Sequence, residues 1–157
     1  MGMHVGLLGL RVFFGLVLAS HGAQKLFGWF GGDGVEGTAA AFETMGFQPG
    51  RPFAVIAGLT EMGGGLLLAV GLAFPLATAM VIGVMINAVN ASWGYGFYEG
   101  TETPMLFAAV AVALAFTGPG RYALDAGRPW QRTGTRWALG SVGVGVATAL
   151  LTLLING

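Results

Sequence analysis

The run Leu8 to Phe30, LGLRVFFGLVLASHGAQKLFGWF, is apolar for long enough to cross a bilayer, yet it carries Arg11, His21, Gln24 and Lys25. A charge at bilayer depth costs roughly 2.5–3.5 kcal/mol on insertion scales, so such residues persist only where they are paired, hydrated or used. On a helix turning about 100° per residue, Lys25 lies about 40° from both Arg11 and His21, with Gly15 and Gly22 close by. A chain built this way must turn that stripe toward other helices.

The rest of the sequence supplies those helices. Of its 157 residues, 55% are hydrophobic and only 9% charged, and its mean hydropathy is +0.74. A soluble domain carries about 25% charge. The expected class is therefore all-α and integral to a membrane, and the 29 glycines fit closely packed spans. Val17-Leu18-Ala19 resembles a signal cleavage site, but the apolar run is long for a signal and Arg11 interrupts it, so the segment is read as retained.

Five apolar segments follow from the pattern. The first runs from about Val5 to Phe27, and the connection Gly28 to Pro52 holds a short stretch, Val35 to Met45, read as an interfacial amphipathic helix or an ordered loop. The second spans about Phe53 to Leu72, with Pro52 in its first turn and Glu61 as its single charge among Gly58, Gly63, Gly64 and Gly65. The third runs from Phe74-Pro75 to about Trp93 and carries Asn87 and Asn90 near its end, before the aromatic belt Trp93, Tyr95, Phe97 and Tyr98. The fourth, Pro104 to Thr117, is short for a ~30 Å hydrocarbon core and is expected to extend or thin the bilayer. The fifth is Trp137 to Ile155.

Charge orients these spans. The segment Arg121 to Arg136 sets Arg121, Arg128, Arg132 and Arg136 against Asp125, and belongs in the cytoplasm by the positive-inside rule. Alternating spans then place the N-terminus inside and the C-terminus outside, as a multi-pass plasma-membrane protein. The acidic connections, with Asp33, Glu36 and Glu43 in one and Glu99 and Glu102 in the other, fall outside.

On that topology His21 lies ~9 Å, Glu61 ~12 Å and Asn87 ~9 Å below the outer ends of their helices. Lys25 and Asn90 sit nearer the surface, and Arg11 lies ~15 Å deeper than His21. Arg11 is expected to snorkel toward cytoplasmic headgroups. Glu61 requires a cationic partner, His21 or Lys25. Two readings stay open: an ion pair that fixes helix packing, or a pocket for the polar head of an apolar molecule. In the second, His21 and Glu61 are the candidate catalytic residues, and Lys25, Gln24, Asn87 and Asn90 the candidate binding residues. Histidine's ordinary titration range also allows proton exchange at His21.

Several chemistries are excluded. The chain has no Cys, so thiol redox, disulfides and Cys-ligated Fe–S or zinc are ruled out. His4 and His21, ~25 Å apart along one helix, do not form a bis-His haem site, and no metal site is expected. Zero net charge gives no reason to expect a nucleic-acid partner.

The residues Arg11 with Gly15, His21-Gly22-Ala23-Gln24-Lys25-Leu26-Phe27-Gly28, Gly58-Leu59-Thr60-Glu61-Met62-Gly63-Gly64 and Gly118-Pro119-Gly120-Arg121-Tyr122-Ala123-Leu124-Asp125 occur in an order that resembles the DoxX family of small membrane proteins. The resemblance covers about residues 5 to 126. It implies a DoxX-like four-helix bundle over residues 1–126, followed in 127–157 by a basic connector and an additional fifth helix. It also implies association with membrane oxidoreductase systems, including quinone-linked thiosulfate oxidation and quinol oxidase assemblies, with Arg11, His21, Lys25 and Glu61 as the centre.

The leading expectation is a membrane subunit of a redox assembly that binds a quinone-like molecule and carries no covalent cofactor. The alternatives are a scaffold that holds soluble redox enzymes at the Arg121–Arg136 loop, and a small proton-coupled exporter. Membrane lipid is the expected neighbour of the spans, and their small-residue faces allow a homodimer.

Overall fold

The computed structural model describes residues 1–156, and they form α1 (Gly2–Phe27), α2 (Gly34–Thr44), α3 (Gly50–Val70), α4 (Phe74–Ser92), α5 (Glu102–Thr117) and α6 (Thr135–Asn156). Five helical segments are long and apolar enough to cross a membrane: α1, α3, α4 with its extension to Tyr95, Phe97–Thr117 and α6. The chain is a multi-pass membrane protein. Its short fourth span is lengthened by a π-helical turn, Phe97–Thr101, which leads directly into α5. Large apolar side chains such as Phe13, Leu59, Leu106 and Leu151 face outward, where only lipid spares them contact with water.

Glycine sets the tightest contact, between α1 and α3. A Cβ on Gly65 would lie 2.5 Å from the Gly15 carbonyl oxygen and 2.7 Å from the Ala19 nitrogen, so the two backbones touch. Gly22 meets α3 in the same way beside Gly58 and Met62. Without a hydrophobic drive between helices in lipid, such close packing supplies the attraction. Gly65→Ala is expected to force these helices apart at a cost of about 1–3 kcal/mol, read as a lowered thermal midpoint in detergent. A midpoint equal to that of the wild type would show that the backbones are not held this closely.

Around this pair α4 and α5 complete a four-helix ring. Phe14 and Phe107 close it between α1 and α5, with ring centroids 5.3 Å apart. The apolar core, which includes Phe14, Leu18, Leu68, Val81 and Leu114, fills the half of the bundle nearest the N-terminus. The additional helix α6 lies on α4, where a Cβ on Gly145 would come within 2.9 Å of Ile82 and one on Gly83 within 2.8 Å of Thr148 Oγ1.

The stretch read from sequence as a helix or an ordered loop is the helix α2, and it turns one edge onto the bundle, with Thr38 and Ala39 buried. Phe47, just beyond it, is buried and packs its ring between Phe42 and Phe53, at 5.9 and 5.7 Å. The Glu43 carboxylate accepts a 3.0 Å hydrogen bond from the Gly50 N–H at the start of α3, and Arg51 pairs with Glu36 at the surface. The apolar edge of this segment thereby roofs the bundle at the end opposite the N-terminus.

Candidate functional site

Beneath that roof the core gives way to a cavity of about 730 Å³. It exists because α3 and α4 leave a tight turn at Gly71, touch at Gly64 and Val81, and then part. Leu18, Phe47, Phe53 and Phe107 are among the apolar side chains that line it. Most of the wall is apolar. Its polar residues include Lys25 and His21 from α1, Thr60 and Glu61 from α3, and Asn87 from α4.

Lys25 Nζ donates to Glu61 Oε2 at 2.7 Å, which settles which cation faces the carboxylate. The Glu61 side chain is only 4% exposed, against 23% for Lys25, so the pair presents its ammonium to the cavity. His21 is not paired with Glu61. Its ring stands edge-on to Phe107, with centroids 5.7 Å apart. Asn87 Oδ1 is buried with no hydrogen-bond partner among the described residues. The chamber thus offers donors at Lys25 and an imidazole at His21, and Asn87 stands in its lining.

The other sequence candidates lie elsewhere. Gln24 points away from the cavity and donates to the Phe30 carbonyl at 3.3 Å. Asn90 faces a separate shallow depression beside Trp93 and Leu153. Glu61 is also deeper than expected, because α3 begins at Gly50 rather than Phe53 and sets it ~16 Å below that end.

Arg11 does not snorkel to the headgroups. It is 1% exposed, and its guanidinium donates to the carbonyls of Leu68, at 3.4 Å, and Ala69 in the last turn of α3, and of Tyr122, at 2.6 Å. The reason is that α3 ends beside it, with its last carbonyls and the negative end of the helix dipole directed at the side chain. Gly71, at φ 71°, allows the close turn that follows. A Cβ there would lie 2.5 Å from that of Ala123 and 3.0 Å from Arg11 Nη1.

Asp125, the one acid among the four loop arginines and the last residue of the motif that begins at Gly118, completes the same knot. It is 2% exposed; Oδ2 accepts from the Phe74 N–H that opens α4, and Oδ1 from the Trp130 indole, at 3.1 and 3.0 Å. The Leu124 and Asp125 amides donate to Val70 and Gly71. The run Arg121-Tyr122-Ala123-Leu124-Asp125 therefore clasps the α3–α4 turn. Its signal in the sequence is the lone acid in a basic loop, a position that makes sense as a helix cap. Asp125→Ala is expected to cost about 1–2 kcal/mol of thermal stability, with Asp125→Asn retaining most of it. An unchanged midpoint for the alanine variant would remove the carboxylate from the knot.

The basic loop itself is partly engaged. Arg121, Arg128 and Arg132 lie over the rings of Tyr122, Trp130 and Trp137, at 5.3, 5.8 and 5.5 Å. Such stacking leaves the charges at the surface while placing their aromatic partners at interface depth.

Comparison with known proteins gives one result. A family model described as DoxX matches residues 6–94, more than half of the chain, and takes in α1 to α4 with Arg11, His21, Lys25, Glu61 and Asn87. No curated protein and no solved structure matches it.

Proposed function

This chain belongs to the DoxX family, and on that premise we propose that it is the membrane subunit of a redox assembly and holds a quinone-like amphipathic molecule in the α1–α3–α4–α5 chamber. The family is associated with quinol oxidase and other redox complexes. The observation that carries the reading is the coincidence of a largely apolar cavity of about 730 Å³ with Lys25, Glu61, His21 and Asn87 in its lining. That volume lies within the ~300–1,000 Å³ of small-molecule sites, which are characteristically apolar with a few convergent polar groups.

The donor set suits the proposed group. Lys25 keeps N–H donors beyond the one that Glu61 accepts, so it can hydrogen-bond a ring oxygen and stabilise negative charge there. Asn87, also in the lining, carries an amide that can hydrogen-bond a hydroxyl once its side chain turns. His21, wedged by Phe107, donates to a ring oxygen or moves a proton to and from it. Glu61 holds the Lys25 ammonium in place and balances its charge. A bound quinone supplies the electron-accepting chemistry that a chain without cysteine does not. With the basic loop on the cytoplasmic side, the chamber opens in the outer half of the membrane.

The test is calorimetric titration of a decyl-tailed benzoquinone into the detergent-solubilised protein. Wild type is expected to bind saturably, and Glu61→Gln and His21→Ala to bind roughly tenfold or more weakly while keeping their helical content. Equal affinity in all three proteins would end this assignment.

A further inference from the structure

The same cavity does not stop at the four-helix ring. Between α3 and α4 it continues to the outside of the bundle, where Ile56 on α3, Leu76 and Met80 on α4 and Val144 and Thr148 on α6 line it together. Ile56, Leu76 and Val144 are each more than half exposed, at 59%, 55% and 54%, so this stretch is a groove open to lipid. Its far wall is α6, which lies beyond the residues matched by the family and is held on α4 by the Gly83–Gly145 contact. Asn87 and Leu76 lie ~16 Å apart along α4, about half of a ~30 Å hydrocarbon core.

Resting on the reading of the chamber as a quinone-type site, we propose that its ligand is a single-tailed, membrane-dissolved amphiphile. It arrives sideways between α3 and α4, and its tail lies in the α3–α4–α6 groove. The polar chamber and the lipid-open groove are continuous, so the head can sit against Lys25 and Asn87 while the tail never leaves an apolar surface. The groove's length matches one leaflet, which favours a long tail over a short one. The additional helix is then a specificity element: it decides how much tail is covered.

Two benzoquinones, one decyl-tailed and one with methyl groups only, separate head from tail when titrated into wild type and Val144→Trp. A tryptophan at this exposed position fills the groove without entering the chamber, and Leu150→Trp, equally exposed on α6 but outside the groove, controls for bulk and folding. Wild type and Leu150→Trp are expected to bind the tailed probe more tightly than the methyl probe. Val144→Trp is expected to lose about tenfold or more for the tailed probe and nothing for the methyl one. If wild type binds both probes and Val144→Trp binds them equally well, the groove proposal falls and the chamber assignment stands. If wild type binds neither, both fall.

Discussion

Replacing Arg11 with methionine is expected to be among the most destabilising single changes in the protein. The methionine fills a similar volume but donates no hydrogen bond. It would leave the Ala69 and Tyr122 carbonyls without a partner in a site that is 1% exposed. An orphaned buried acceptor costs about 1–3 kcal/mol, so the pair amounts to roughly 2–6 kcal/mol. The Arg121–Asp125 clasp would loosen with it, because Tyr122 is one of the attachments of that segment to the turn after α3. Arg11→Lys should recover only part of the loss, since one ammonium does not span carbonyls that a guanidinium fork reaches together. Thermal unfolding in detergent measures the first effect, and limited proteolysis between Arg121 and Arg136 the second. Wild-type behaviour of Arg11→Met in both would remove the knot from the account.

The second large effect separates structure from function at Lys25 and Glu61. Lys25→Met leaves a carboxyl whose side chain is 4% exposed without its cation, at an expected cost of roughly 3–5 kcal/mol. Replacing both residues by methionine removes the orphaned charge as well. Buried ion pairs exchanged for apolar residues are often neutral or stabilising, so the double variant should regain most of the lost stability. It should not regain ligand. If the pair only fixes how α1 packs on α3, the double variant would be both stable and fully able to bind, which would leave the chamber no role for its charges.

These two sites also mark what the sequence made legible. The spans, the DoxX resemblance and the convergence of His21, Glu61 and Asn87 follow from hydropathy, spacing and a common depth, and Lys25 joins them one turn beyond His21, because a membrane leaves buried charges few places to go. Gln24, next to Lys25 in sequence, and Asn90, one turn beyond Asn87, lie on other sides of their helices. Rotations of about 60–100° around a helix separate Gln24 from His21 and Lys25 and Asn90 from Asn87, and the glycine contacts of α1 and the seat of α6 on α4 set which polar group faces the cavity. Arg11 misled for another reason. Snorkelling presumes that the nearest polar groups are lipid headgroups, whereas here the α3 C-terminus is closer and already negative. The sequence marked Asp125 as part of a motif but not its role, because its partners are the Phe74 N–H and the Trp130 indole rather than a cation. The inward turn of Phe42 and Phe47 and the groove wall on α6 are tertiary facts with no local signature.

The central claim is that the chamber holds the head of an amphipathic molecule through the Lys25–Glu61 pair. Native mass spectrometry, with identification of extracted lipids, on protein purified gently from its own membrane tests it most directly. The wild type is expected to retain a quinone or a similar single-tailed amphiphile that Lys25→Met/Glu61→Met, equally folded, does not. Phospholipid alone in both proteins, or the same amphiphile retained by both, would contradict it.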